Sequence, residues 1–280
     1  MSNSQVHKTI KSWLVAVFFL AAGYVLVAGI VVQFGIAPRL AQDGSPPGLI
    51  PGLDTVTFHE MAVEMSGDMD ERGFEAWEWN PGWSDNQPAG LMAVVYYWTV
   101  PHPAVLLPFN AVIHGITAMV FLLLFSSLGF GSKASFVAVL PFVFFPSTLT
   151  WTAQFHKDGV FILGFVTMLF GTARIFSSKG LVSFAGSIGL VFVGAAIAAS
   201  MRGYAVSLFL VASLGAGILV LVAGLILRRG SFRAEAGRWI TLGLCCLALV
   251  PFLGTKGGEV RTKDVSTAPA TKETIVFESG

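Results

Sequence analysis

Four charged residues of this 280-residue chain have side chains suited to group-transfer chemistry: Asp54, Lys157, Asp158 and Arg202. A carboxylate can take the proton of an acceptor hydroxyl, and lysine or arginine can stabilise a phosphate leaving group. Lys157, Asp158 and Arg202 stand between long apolar runs, where an ionised side chain is costly and is by default a functional candidate. The residue types therefore predict an acid that faces a cationic cluster.

Each of these residues also has a purely structural interpretation. Aspartate is a preferred N-cap, so Asp54 and Asp158 could simply begin helices. Lys157 and Arg202 could extend their charged ends from an apolar span to the polar boundary of a membrane. The residue types alone leave both interpretations open.

The neighbours of these residues supply further candidates with supporting roles. His59 and Glu60 follow Asp54 by one to two helical turns, and His156 directly precedes Lys157. His59-Glu60 lacks the second histidine of a zinc-binding HExxH motif, and no group of residues has structural-zinc spacing. We therefore expect no cofactor and no resident metal, and a loosely held divalent ion stays open. Asp68-Met69-Asp70 forms a DxD tripeptide, which is a weak signal in an acidic loop.

The stretch around Asp54 predicts a short surface helix. Phe58, Met61, Ala62 and Met65 recur at i, i+3, i+4 and i+7, which places one apolar stripe along a helix over Leu53–Met65. Three tryptophans follow closely: Trp77, Trp79 and Trp83. They are typical of an aromatic belt at a membrane surface, and a platform for sugar rings is the functional alternative.

The composition shows what must position these residues. Hydrophobic residues make up 54% of the chain and charged residues only 12%, whereas a soluble domain has about 25% charged residues. A hydrocarbon core about 30 Å thick needs roughly 20 apolar residues per crossing. We therefore predict an all-α integral membrane protein and exclude a soluble enzyme, a disulfide-stapled secreted domain and, at a net charge of +1, a nucleic-acid binder. The seven predicted spans are Trp13–Val32, Ala104–Phe125, Ala134–Trp151, Asp158–Phe176, Leu181–Ala199, Tyr204–Leu227 and Gly237–Gly254.

The distribution of basic residues predicts the orientation. With the N-terminus in the cytoplasm, the cytoplasmic connections hold nine Lys and Arg residues and one acid, Glu235. Asp54, Lys157, Asp158 and Arg202 then all lie at the outer face.

The predicted membrane domain covers residues 1–254, with a large outer loop at 38–88 after the first span. A polar and flexible tail follows at 255–280. The apolar stretch Leu91–Val100 is too short to span, and we interpret it as an interfacial or re-entrant helix that ends at Pro101 and Pro103. Counting it as a span would invert every later loop.

These features resemble the GT-C superfold, the multi-span glycosyltransferases that use polyprenyl-phosphate sugars, of the protein mannosyltransferase and aminoarabinose transferase type. The resemblance covers roughly Ser12–Phe176. In that family one span is followed by an outer loop whose early acid lies on a surface helix, and later spans end in charged outer turns. The matching residues here are Asp54, Phe58, Ala62, Pro88–Leu91, Tyr96–Trp98, Asn110, Phe145–Ser147 and Lys157–Asp158. Family members usually have more spans and a further domain, so the resemblance implies a shortened relative or a fragment.

The resemblance implies a function and assigns roles to the candidate residues. Asp54 would be the catalytic base, and Lys157 or Arg202 would bind the donor phosphate. The partners would be a lipid-linked sugar donor, a glycan, lipid or protein acceptor, and membrane lipid, in the inner membrane of a bacterium. A polymerase of lipid-linked oligosaccharides, as in O-antigen or exopolysaccharide assembly, is the neighbouring alternative, and it would depend on Arg202 more than on Asp54.

A non-catalytic assembly subunit is the alternative from another class. The small residues Ala185, Gly189 and Ala195 favour close helix packing, which fits a membrane-protein partner as well as internal packing. Transport is disfavoured, because the charges lie at the span ends and no inverted repeat is visible.

Overall fold

A computed structural model of the chain describes residues 3–41, 46–51, 54–79, 87–145, 153–178 and 180–227, together with Gly237 and Ile240. Within these ranges all regular structure is helical. The helices are α1 (Asn3–Ile30), α2 (Ala37–Leu40), α3 (Asp54–Arg72), α4 (Gln87–Trp98), α5 (Leu107–Ser127), α6 (Ser132–Phe144), α7 (Lys157–Ser177) and α8 (Leu181–Leu227).

Four helices among the described residues are long and apolar enough to cross a membrane: Ile10–Leu40, Pro103–Ser127, Lys157–Ser177 and Leu181–Arg202. The chain is therefore a helical protein with the spans of a membrane protein, as its composition predicts. The predicted first, second, fourth and fifth spans lie within these four helices.

The other three predicted spans stay predictions. Within Ala134–Trp151 the structure describes only α6, a shorter apolar helix. Tyr204–Leu227 is helical, and Gly237–Gly254 lies outside the described residues except for two positions. The tail 255–280 also lies outside them. Of the stretch Leu91–Val100, the residues up to Trp98 belong to α4, whose 12 residues are too few to span a membrane.

α1 continues into α2 through a π-helical turn at Val31–Ile36. There the backbone N–H of Ala37 bonds to the carbonyl of Val32, five residues earlier, so the turn accommodates one residue more than an α-helical turn. This turn places Gln33 inside the protein, with 1% of its surface exposed.

The packing has two parts, a bundle of helices and, at one end of it, the pair α3 and α4. α1 packs on α5 and α6, and α5 also packs on α7. α3 packs on α4 through the predicted apolar stripe, because Phe58 and Ala62 are buried and Met61 and Met65 partly buried in their shared core. That core also contains Phe155, just before α7, so the α3–α4 unit rests on the end of the bundle at which α7 begins.

α7 and α8 pack at backbone contact through glycines. A methyl carbon added at Gly164 would lie 2.7 Å from the carbonyl oxygen of Gly194, and one added at Gly171 would lie 2.8 Å from the backbone nitrogen of Val191. Side chains at these glycines would keep the helices apart, so the sequence sets the separation of α7 and α8.

The second half of α8 folds back along α7. Arg202 has a non-helical backbone, with φ −147° and ψ 78°, between two helical segments. Arg202 pairs with Asp158 in the first turn of α7, whereas the ring of Phe209 lies 6.3 Å from that of Phe165, a residue two turns further along α7. A straight helix would instead carry Phe209 about 10 Å beyond the start of α7. The chain must therefore turn back at Arg202.

Candidate functional site

The predicted base and one predicted cation form a pair at one end of the bundle, which we call the charged end. Asp54 is the first residue of α3 and Lys157 the first residue of α7. Lys157 Nζ lies 3.7 Å from Asp54 Oδ2, and 66% of the Asp54 side chain is exposed. The distance exceeds that of a hydrogen bond, so the pair is open and its two groups can still take other partners.

A second pair lies beside the first. Arg202 Nη2 contacts Asp158 Oδ1, and both side chains are largely buried. The first segment of α8 runs antiparallel to α7 and brings Arg202 to this position. Lys157 and Asp158 are adjacent in the chain, so the two ion pairs share one turn of α7. The four residues that the sequence predicts at one face therefore do lie together.

His156 contacts both the backbone and the carboxylate of Asp158 through one ring nitrogen. It caps α7, since its Nδ1 lies 3.3 Å from the backbone N–H of Asp158, which can donate to it. The same Nδ1 lies 3.0 Å from Asp158 Oδ2. With a proton on Nδ1 the ring donates to that carboxylate, and with the proton on Nε2 alone Nδ1 accepts from the backbone N–H. The tautomer of His156 thus decides which of the two bonds its Nδ1 makes.

Aromatic rings support both cations. Lys157 Nζ lies 5.5 Å from the ring centre of Phe58, one turn after Asp54 on α3. Arg202 Cζ lies 5.5 Å from the ring centre of Phe161 on α7. Cation–π contacts at this distance are attractive. The charged end therefore presents two supported cations beside an exposed carboxylate.

Two further predicted residues occupy different environments. His59 is buried on α3, and its Nδ1 lies 2.8 Å from the hydroxyl of Tyr96 on α4. Burial lowers the pKa of His59 below its ordinary value of 6.5, His102 lowers it further, and Glu60 opposes both effects. Burial also raises the pKa of Tyr96. His59 therefore joins α3 to α4, while Glu60 is exposed.

The structure adds three buried polar residues that the sequence did not predict: Gln33, Thr55 and Gln154. Gln33 Nε2 donates to the carbonyl of Ala153 at 2.7 Å, and Thr55 Oγ1 donates to Gln154 Oε1 at 2.7 Å. These bonds join the π-helical turn, the start of α3 and the segment before α7. A lone glutamine in the apolar sequence VVQFGI was the one visible signal for Gln33.

The aromatic cluster and the DxD tripeptide contact other parts of the chain. The rings of Trp77 and Trp79 stack on each other at 5.8 Å, and Trp77 donates to the carbonyl of Gly90 at 2.9 Å. One face of each ring is therefore used within the protein. Trp83 lies outside the described residues. Asp68 pairs with Arg72 at 2.5 Å, one turn along α3.

Among the described residues no three His, Cys, Asp or Glu side chains are grouped so that they could hold a metal ion. Comparison of the chain with protein-family models, with curated proteins and with solved structures gives no match.

Proposed function

We propose that this protein is a membrane glycosyltransferase that moves a sugar from a polyprenyl-phosphate donor to an acceptor at the outer face of a membrane. The observation that carries the proposal is the meeting of Asp54, Lys157 and Arg202, from three separate helices, at one end of a bundle of apolar helices. An exposed carboxylate beside two cations matches the two demands of this reaction, which are removal of a proton and stabilisation of a phosphate.

In the proposed reaction the Asp54 carboxylate takes the proton of the acceptor hydroxyl. The acceptor oxygen then forms a bond to the anomeric carbon while the bond from that carbon to the phosphate oxygen breaks. The electron pair of the broken bond stays on the lipid phosphate, whose charge Lys157 and Arg202 stabilise. A single displacement of this kind inverts the anomeric configuration.

The distribution of charge supports the outer placement of the charged end. Arg174 lies in the last turn of α7, and a helix of 21 residues separates the two ends of α7 by about 30 Å. Phe109 near the start of α5 contacts Phe155, so α5 runs away from the charged end and the turn before Lys133 lies at the opposite end. Basic residues favour the cytoplasmic side, so the charged end would face outward.

Complementation tests the proposal. A strain that lacks the gene would receive the wild type, Asp54→Asn, Arg202→Gln or the control Glu64→Gln, which removes an exposed acid from the same helix. Surface polysaccharides and lipid-linked sugars would then be measured at matched protein levels. Loss of a general base slows proton transfer by about 10²- to 10⁴-fold, so Asp54→Asn should leave the glycan missing while Glu64→Gln restores it.

The other outcomes separate the alternatives. Restoration by Asp54→Asn would refute the role of Asp54 as base. Failure of Arg202→Gln alone would then favour the oligosaccharide polymerase.

A non-catalytic assembly subunit is favoured by one observation, the exposed face of α8 that contains Ala185 and Gly189. Ala195, in contrast, is buried in the core between α7 and α8. An assembly subunit should tolerate all the charge substitutions above and lose function with Gly189→Leu, since a bulky side chain there would obstruct a partner helix.

A further inference from the structure

Two buried glutamines near the charged end each leave half of the side-chain amide without a hydrogen bond. Gln33 is 1% exposed and Gln154 is 0% exposed. Gln33 Nε2 and Gln154 Oε1 are bonded, to Ala153 and Thr55 respectively. In the part of the chain that the structure describes, Gln33 Oε1 and Gln154 Nε2 have no hydrogen-bond partner.

Such half-satisfied amides are uncommon inside proteins. Nearly all buried polar groups have a protein or water partner, and a buried group without one is destabilising. Gln33 is also placed inside by a π-helical turn, a feature that often occurs at functional sites. Two unsatisfied amides at one place therefore point to a missing partner.

The two unbonded atoms define the chemistry of that partner. Gln33 Oε1 accepts a hydrogen bond and Gln154 Nε2 donates one. A hydroxyl group both donates and accepts, so it complements both atoms. A phosphate or carboxylate offers no proton to Gln33, and an ammonium offers no lone pair to Gln154.

Gln33 and Gln154 lie next to the charged end. Gln33 bonds to the carbonyl of Ala153, which is joined directly to Gln154, so the two amides belong to one locus. Thr55, the partner of Gln154, follows Asp54 in α3, and Lys157 lies three residues after Gln154. A hydroxyl bound here would lie beside the residues proposed to carry out transfer.

We infer that Gln33 and Gln154 bind one hydroxyl group, which comes from an ordered water or from the sugar of the glycosyl donor. The second source rests on the proposed function, whereas the first does not. If the sugar supplies the hydroxyl, this pair orients the donor sugar while Lys157 and Arg202 hold its phosphate.

The test uses the full chain in lipid nanodiscs and three proteins: wild type, Gln33→Met and Gln154→Met. Methionine keeps the length of the side chain and removes the amide. The affinity of each protein would be measured for undecaprenyl phosphate and, separately, for its glucose, mannose and galactose derivatives. A density map of the ligand-free wild type, at a resolution that shows ordered water, is the second measurement and needs no variant.

If a sugar hydroxyl is the partner, one of the sugar lipids should bind the wild type more tightly than undecaprenyl phosphate does. Both variants should bind that sugar lipid with about 5- to 10-fold lower affinity than the wild type does, and their affinity for undecaprenyl phosphate should be unchanged. If water is the partner, the map should show it between the two amides, and sugar lipids should bind all three proteins alike.

The inference is overturned if the map shows no water between the amides and the variants bind every sugar lipid as the wild type does. Failure of the proposed function looks different. In that case undecaprenyl phosphate and its sugar derivatives would not bind the wild type at all, and the map alone would decide whether the glutamines hold a hydroxyl.

Discussion

Gly194→Ala should separate α7 from α8 and destabilise the protein. A methyl carbon at Gly194 would lie 2.6 Å from the carbonyl oxygen of Gly164 and 2.9 Å from Cα of Met168. Ordinary contact begins at 3.4 Å, and both neighbours are backbone atoms that cannot rotate away. The backbone nitrogen of Met168 lies closer still, so the helices must move apart by about 1 Å at this point, which amounts to overpacking.

The expected loss in the free energy of unfolding is best stated relative to Gly189→Ala, a matched substitution on the same helix. No atom lies within 4 Å of a methyl carbon at Gly189. Both variants gain the better helix propensity of alanine, about 1 kcal/mol, so this gain cancels between them. The remaining difference is the cost of overpacking. We expect Gly194→Ala to have a free energy of unfolding about 1–3 kcal/mol lower than that of Gly189→Ala.

Unfolding in mixed micelles of a mild detergent and dodecyl sulfate, followed by far-ultraviolet circular dichroism, would measure this difference. The protein concentration and the lipid content must be equal for both variants. If the two variants unfold with free energies equal to within about 0.5 kcal/mol, the backbone contact between α7 and α8 does not set their separation and the reasoning is wrong.

Three further predictions concern the charged end and the packed helices α3 and α4. Tyr96→Phe should lower the free energy of unfolding by about 1 kcal/mol in the same assay, because it removes the bond to the buried His59; an unchanged stability would show that the bond contributes nothing. Because the pKa of folded His59 lies below its ordinary value of 6.5, the unfolded chain takes up this proton first as the pH falls. Stability should therefore be complete above pH 6.5 and decrease below it, and His59→Gln should reduce that decrease; equal pH profiles of the two proteins would refute the assignment. Asp158→Asn should cost about 1.5–3 kcal/mol by weakening the largely buried pair with Arg202, whereas the exposed control Glu64→Gln should cost less than about 0.5 kcal/mol.

The sequence predicts the helical architecture and the residues of the charged end for a physical reason. Long apolar runs fix where helices lie, and the alternation of runs and turns brings the ends of distant helices to the same side. This reasoning brings Asp54, Lys157, Asp158 and Arg202 together without any knowledge of their contacts, and the structure shows them in two adjacent ion pairs. It does not reveal which acid pairs with which cation.

The features that the sequence did not reveal depend on packing between helices. Gly189 and Gly194 are the same residue type in the same apolar run, and only the position of α7 makes one of them a contact and leaves the other exposed. His59 follows Asp54 in α3, yet its side chain turns toward α4 and bonds to Tyr96. A π-helical turn has no local composition that distinguishes it from an α-helical one, so the burial of Gln33 also required the three-dimensional structure.

The π-helical turn divides the first span into two segments that are out of phase. One additional residue rotates everything after it by about 100° relative to an uninterrupted α-helix. The exposed residues before the turn, such as Phe19 and Val27, and those after it, such as Leu40, therefore follow two different helical stripes. Deletion of Val31 would restore a single phase and carry Gln33 out of reach of the Ala153 carbonyl. The first apolar helix thus has two segments with different orientations, and one additional residue sets the difference.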